Sequence, residues 1–441
     1  MKKTGLIILA LMCLTSFLVA DSVKALGSSF SLLIPDNYED IKSFPDRLSL
    51  ETAPYAEVST NNGSENSTFL GLSPFTGNFK TRHDLGFSAY SLSSADYDRT
   101  SYRQKEFLEF INYFGYDFDS FSLGISAGIK LGQNDQDSWN KSENINWDYH
   151  STYVSEYKDS VEDNSIKLGI STGFGEDNSL SLGFLYTYDY YADYDLHKSD
   201  SESTQNDTIY QFTSDYDSNG YDTYHYAYQF SLIKDFGEEK QSRFLAKLKY
   251  TSVDLWDDVY FLHRTFNSYG NYIDERLTTK DNEYIGEEYS LLLGYGTSKQ
   301  VSKFKLFSAV SLNTKLEDLD NDYKHTEIEK KIYTDSTEVV SLDVKGYNEI
   351  KTYSSKLTIP IGFSYSVVSW FKVMGSISIY ANYEYIDSSD ISITDNKSWS
   401  SNANQNISLE FYPLKNLELG IYNMGNLSQY KYWEMNVKYK F

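Results

Sequence analysis

The last twelve residues, Tyr430 to Phe441, alternate in polarity with a period of two. Trp433, Met435, Val437, Tyr439 and Phe441 fall on one face, and Glu434, Asn436, Lys438 and Lys440 on the other. Side chains of an extended chain point alternately to opposite faces, so this period marks a strand and excludes a helix. The pattern recurs in Leu357, Ile359, Ile361, Phe363 and Tyr365 against Thr358, Pro360, Gly362 and Ser364. It recurs in Tyr224, Tyr226, Tyr228, Phe230 and Leu232 against His225, Ala227, Gln229 and Ser231. Ile166, Leu168, Ile170 and Phe174 oppose Lys167, Gly169, Ser171 and Gly173 in the same way. The fold class that follows is all-β.

The polar face is small and hydrophilic, as in Ser122, Gly124, Ser126 and Gly128 beside Phe121, Leu123, Ile125 and Ile129. Glycine weakens a strand unless something requires the missing side chain. A curved wall with a wet interior supplies such a requirement, and an apolar outer face with aromatic ends suits lipid. The negative mean hydropathy excludes a helical membrane protein but not a barrel, whose strands alternate lipid-facing and lumen-facing residues. The 41 Tyr and 17% aromatic content argue against disorder. Lys+Arg 39 against Asp+Glu 63 gives a net charge of -24, which excludes the basic face that a nucleic acid needs. Cys13 is the single cysteine, so no disulfide is expected.

Residues 1–25 read as a signal peptide, with Lys2 and Lys3 before the apolar run Gly5 to Ala20 and small residues at Ala20 and Ala25. Short polar turns recur near residues 117–119, 176–178, 237–239, 298–300, 368–369 and 414–416. Hydrophilic stretches separate them at 133–163, 192–221, 255–283, 317–349 and 388–403. Short connections alternating with long ones predict a transmembrane antiparallel up-and-down β-barrel of about 14 strands over residues 81–441, with long extracellular loops. Alternation within 145–157, 208–215 and 337–344 predicts that some of these loops extend the wall as hairpins. Residues 26–80 form an N-terminal segment that reads either as a plug or as an extra strand pair, which would give 16 strands. Pro54 argues for the plug, because proline cannot donate within a central strand.

The terminal Phe441, with Tyr439 and the apolar residues back to Trp433, resembles the last strand of Gram-negative outer-membrane β-barrels. That resemblance implies an outer-membrane location and an assembly signal at Tyr439 and Phe441 read by the barrel-assembly machinery. It also implies a lipid bilayer and lipopolysaccharide as surroundings. About 14 strands with an N-terminal segment is similar to the fatty-acid transporter group and to monomeric porin-type channels.

No catalytic, cofactor-binding or metal set is expected. The six His lie mainly in predicted loops, and His225 has no Ser or Asp at a useful spacing. The pore-lining candidates are Lys130, Lys167, Lys247, Lys249 and Lys305 against Glu410, Glu418 and Glu434. They read either as a transverse field or as cross-barrel ion pairs. Asp193, Asp195 and Asp200, or Asp318, Asp320 and Asp322, offer oxygen ligands for divalent cations at acidic loops. Acidic loops also favour cations at the mouth. Pro360, mid-strand and lumen-facing, predicts a bulge or kink. The main functional expectation is a channel for passive or facilitated diffusion of small hydrophilic solutes. A second is a transporter of a hydrophobic or aromatic compound, which needs an apolar pocket inside the lumen. Leu185, Leu245, Leu292, Phe307 and Met374 are the inward apolar candidates for it. A third is a structural or adhesive barrel with a closed lumen.

Overall fold

The computed structural model describes residues 26, 28–36, 40–51, 53–61, 67–96, 99–118, 120–146, 149–175, 179–205, 208–237, 241–267, 272–333, 336–388, 396–414, 416–423 and 433–441. The proposed signal peptide, 1–25, lies outside them.

The strands begin with β1 Tyr55–Asn61, β2 Ser67–Ser73, β3 Phe75–Thr76, β4 Phe79–Asp96, β5 Arg99–Asp117 and β6 Phe121–Asn146. They continue with β7 Tyr149–Phe174, β8 Leu180–Gln205, β9 Thr208–Phe236, β10 Ser242–Asn267, β11 Tyr272–Val301 and β12 Phe304–Tyr333. The last are β13 Thr337–Val368, β14 Phe371–Ser388, β15 Asn396–Leu414, β16 Leu417–Asn423 and β17 Trp433–Lys440. Each pairs antiparallel with its neighbours in sequence, and β1 pairs with β17 from Tyr55↔Lys440 to Asn61↔Glu434, which closes the cylinder. Since β2 and β3 share one place against β4, on either side of Pro74, the wall has sixteen positions. The two beyond the expected fourteen are β1 and β2. Pro54 does not interrupt β1. It precedes the strand, and its carbonyl accepts the Phe441 N–H at 2.9 Å.

Strict alternation reflects lipid outside and a filled lumen inside. On β6, Phe121, Ile125, Ile129 and Leu131 are exposed while Ser122 and Ser126 are buried. From Phe121 to Leu131 is ten residue steps, which at ~3.3 Å each and ~40° tilt span about 25 Å, the height of an apolar band. Leu168, Leu248, Leu293, Leu312, Ile361 and Ile377 carry the band round the barrel. Tyr186, Tyr188 and Tyr190 on β8 face Tyr228, Tyr226 and Tyr224 on β9 with ring centroids 5.4, 5.1 and 5.0 Å apart. Aromatic pairs at this spacing contribute beyond their buried area.

Most residues of the hydrophilic stretches expected as loops are strand. β6 to β13 run 26 to 32 residues, far past the band. Antiparallel pairing satisfies the backbone there, and both faces are largely polar because both meet water. The alternation within 145–157, 208–215 and 337–344 was the readable part, and the hairpin extension expected from it is found in the β6–β7, β8–β9 and β12–β13 pairs.

Pro360 is buried and lumen-facing as expected, but it makes no bulge. The β12–β13 ladder omits Ala309↔Pro360 and Val310↔Ile359 and resumes in the same register at Ser311↔Thr358. The missing proline N–H accounts for a gap without a slip. The register shift of β13 lies lower, between Ser366 and Val368.

Candidate functional site

The described residues of 26–51 lie inside the barrel at the end bearing the short turns, while β1, β2 and β3 belong to the wall. The segment is made of short turns, including the helical turn Pro45–Leu50. Proline at its start suits that position, since the first N–H groups of a helix have no internal partner.

Two glycines make room for it. A Cβ on Gly124 would sit 2.0 Å from the Asp46 nitrogen, and one on Gly296 would sit 2.1 Å from the Leu33 carbonyl oxygen. The glycines of the polar face therefore serve more than a wet interior, because some of them mark where the segment's backbone touches the wall.

An apolar layer follows. Leu26, Phe30, Leu33, Ile34 and Phe44 of the segment pack on Ile233, Leu245, Phe307, Ala309, Met374 and Tyr422 of the wall, with Leu292 against them. Phe30 meets Phe307 edge-on at 6.3 Å. Each fully buried Leu or Phe contributes ~1.5–3 kcal/mol. Four of the five inward apolar candidates thus meet in one layer; Leu185 is half-buried on β8, close to Gly169. The Pro360 gap lies beside this layer, since its partner Ala309 belongs to it.

A polar latch binds the segment to the wall. Arg243 on β10 donates to both Asp40 oxygens at 2.6 and 2.7 Å and to Asp235 on β9 at 2.6 and 2.9 Å. Arg47 donates to Asp235 and to the Ser181 hydroxyl, each at 2.9 Å. The Asp46 N–H donates to the Ser171 hydroxyl, and the Ser181 hydroxyl donates to Asp46, both at 2.8 Å. Arg47, Arg243, Asp40 and Asp235 are all essentially without solvent contact. Lys80 adds contacts to the carbonyls of Ser49 and Glu51, and Ser376 donates to the Leu26 carbonyl at 2.6 Å. None of the latch residues stood out in the sequence. Asp235 and Arg243 occupy lumen-facing positions, but charge on a polar face reads as solvated.

The pore-lining candidates are distributed as follows. Lys130 pairs with Asp163, and Lys167 approaches Glu109 at 3.4 Å. Lys247 lies near Asp40 of the segment and Lys249 near His225. Lys305 stands 5.3 Å from the Phe307 ring centre. Glu410 is buried opposite Lys372 and takes a hydrogen bond from Tyr412. Lys438 on β17 lies between Glu418 on β16 and Glu57 across the seam where first and last strands meet, and Glu434 lies opposite Tyr422. At the chain end, the Tyr439 and Phe441 rings lie 4.7 Å apart and Phe441 is exposed.

The acidic groupings differ from those expected. Asp159 converges with Asp193 and Asp195, their oxygens within 4.8 Å of one another. Asp200 instead takes a hydrogen bond from Ser214 at 2.6 Å, while Asp318 approaches Lys351 at 3.4 Å and Asp320 accepts from Tyr347. Cross-strand register, not spacing along one strand, decides which carboxylates meet. Partial burial, then the charges of Asp195 and Asp193, raise the Asp159 carboxyl above its usual range. A raised folded value means a penalty that is absent below the unfolded pKa, grows as pH rises and is complete above the folded pKa. Asp159→Asn is therefore expected to raise the melting temperature at pH 7.5, and the gain should vanish at pH 3. An equal gain at both pH values would contradict this origin.

No family model matches the chain, and no curated protein matches it. Among solved structures it is similar to the CymD monoaromatic hydrocarbon channel, at 8% identity and a TM-score of 0.37, over 96% of this chain and 99% of that one. The Ralstonia pickettii toluene transporter TbuX is similar at 9% identity and 0.37, over 97% and 99%. A Pseudomonas aeruginosa FadL homologue is similar at 10% and 0.38, over 97% and 100%.

Proposed function

We propose that the chain is a transporter of the bacterial outer membrane that admits an apolar or aromatic solute into the barrel, with its N-terminal segment closing the short-turn end. The observation that carries this reading is the apolar layer of Ile233, Leu245, Phe307, Ala309 and Met374 on a lumen face that is elsewhere largely polar. A water-filled passage for small hydrophilic solutes has no use for such a layer, nor for a buried ion network holding a segment across it. An apolar solute gains by leaving water for that layer, in proportion to the area it buries. CymD and TbuX are named for a monoaromatic hydrocarbon and for toluene, but the proposal rests on the lumen.

The test is uptake by proteoliposomes of a labelled monoaromatic hydrocarbon against osmotic swelling in a small sugar. Saturable hydrocarbon uptake without sugar-driven swelling is expected. Phe307→Asp should reduce that uptake by about tenfold or more, because an apolar solute cannot satisfy a buried carboxylate. Fast swelling in sugar, with hydrocarbon uptake indifferent to Phe307→Asp, would favour the hydrophilic channel. That reading draws on the ion-paired lumen wall at Lys130, Lys167 and Glu109.

A further inference from the structure

Strands β9 and β10 continue past the apolar band, and their lumen-side face carries a chain of hydrogen bonds between side chains. Odd-numbered residues of β10 form that face, as the buried Leu245 and Val253 show, and Phe261, His263 and Thr265 follow them along the strand. Asp215 on β9 is the direct cross-strand partner of His263. Nδ1 of His263 bonds one Asp215 oxygen, and Nε2 lies 2.8 Å from the Thr265 hydroxyl oxygen. Ser199 on β8 donates to the other Asp215 oxygen at 3.4 Å.

The direction of these bonds follows from the groups themselves. A carboxylate only accepts, so Nδ1 carries the hydrogen. In the neutral ring Nε2 is then the acceptor, and the Thr265 hydroxyl donates to it. A hydroxyl bonded to a base, with the base oriented by a carboxylate, is the arrangement that turns an alcohol into a nucleophile. His263 and Asp215 keep 36% and 33% of their side-chain surface exposed, so a solute can reach them.

We propose that Thr265, His263 and Asp215 form an ester-cleaving site at the outer mouth of the barrel. Thr265 and His263 are the catalytic residues, and Asp215 positions the imidazole. Thr265 Oγ1 adds to the ester carbonyl carbon while His263 Nε2 takes its proton. The tetrahedral adduct then collapses, the bond to the leaving alcohol breaks, and the alcohol takes that proton from His263. Water adds to the acyl-threonine with His263 again accepting a proton, which returns to Thr265 as the acid departs. Thr213 lies directly across from Thr265 and brings a second hydroxyl to the oxygen on which charge develops. The Phe261 ring lies parallel to the His263 ring at 6.5 Å and gives the ester an apolar flank. Asp274 lies opposite Thr265 on β11, so its charge, with that of Asp215, favours neutral or cationic esters over anionic ones. The site belongs to the outer sheet and does not rest on the transport reading.

The test mixes the whole barrel in detergent with p-nitrophenyl acetate and follows both p-nitrophenolate release and acetylation of the chain. A burst of about one equivalent is expected, with the acetyl group on the peptide that carries Thr265. Thr265→Val should abolish burst and adduct, and Thr265→Ser should keep both. His263→Gln should slow acylation by about a hundredfold or more. Asp215→Asn should lower the acylation rate and leave the half-saturating ester concentration unchanged, a split that a misfolded hairpin would not give. Heat-modifiable gel mobility reports that each variant barrel is closed. Mono-p-nitrophenyl succinate, which is anionic, should react more slowly than the acetate, and Asp274→Asn should narrow the gap. Lack of acetylation at Thr265, or a burst and adduct that survive Thr265→Val, would overturn the proposal. Equal rates for the two esters would overturn the substrate class.

Discussion

Arg243→Ala is expected to free the N-terminal segment from the lumen and to turn a closed barrel into one with sustained single-channel current. Arg243 clamps Asp40 of the segment with two hydrogen bonds and Asp235 of the wall with two more, all out of water. Asp235 keeps Arg47 at 2.9 Å when Arg243 is lost, but Asp40 loses both bonds. Removing one partner of a buried ion pair costs ~3–5 kcal/mol when the other charge is left without compensation, and the nearby Lys247, which makes no hydrogen bond to Asp40 here, offsets only part of that cost. That cost falls on the segment rather than the wall, whose strands are held by their own ladders, so relief comes from moving Asp40 out to water. Removing the charges together separates latch from bulk. Arg243→Met combined with Asp40→Asn should leak less than Arg243→Ala alone. Current in Arg243→Ala no higher than in the unmodified protein would show that the latch does not hold the segment.

The second large effect is expected from a single methyl group. Gly124→Ala places a Cβ 2.0 Å from the Asp46 nitrogen and 2.1 Å from the Pro45 carbonyl carbon. Both are backbone atoms, so no side chain can turn aside. In an unobstructed strand the same change is favourable by roughly 0.5–1 kcal/mol, through the lower entropy of the unfolded chain. The wall should therefore persist while the segment is displaced, giving an open channel from a barrel that still resists heat. Gly296→Ala, against the Leu33 carbonyl oxygen, should behave alike. Gly128→Ala supplies the control, because its Cβ would meet only the Ile111 side chain at 3.0 Å. Equal conductance from Gly124→Ala and Gly128→Ala would remove the steric explanation.

The membrane wall was legible because lipid on one side and a polar lumen on the other enforce a strict period of two. The run Phe121 to Leu131 shows this, and so does Leu357 to Tyr365. The outer sheet was harder to read, since Gln133 or Asp195 meets water whichever way it points. Leu245, Phe307 and Met374 were visible as apolar residues on the wrong face, which is why they stood as candidates for the lumen pocket that the second functional reading requires. A plug was one of two readings of the N-terminal segment, but its contacts were not legible, for the described residues of 26–51 form turns whose partners lie hundreds of residues away, as Ser376 with Leu26 shows. Gly124 was noticed as needing a reason, and a wet interior was only part of it. Arg243 and Asp235 did not stand out because nothing local distinguishes a charge that meets water from one that meets Asp40.

The central claim is that residues 26–51 occupy the barrel interior, and thiol protection tests it most directly. In a Cys13→Ser background, Leu33→Cys should react with a membrane-impermeant maleimide far more slowly than the exposed Val340→Cys, from either side of the bilayer. Adding Arg243→Ala should restore the rate. Labelling of Leu33→Cys as fast as Val340→Cys in the otherwise native protein would mean that the segment does not fill the lumen, and the transport reading built on it would fall.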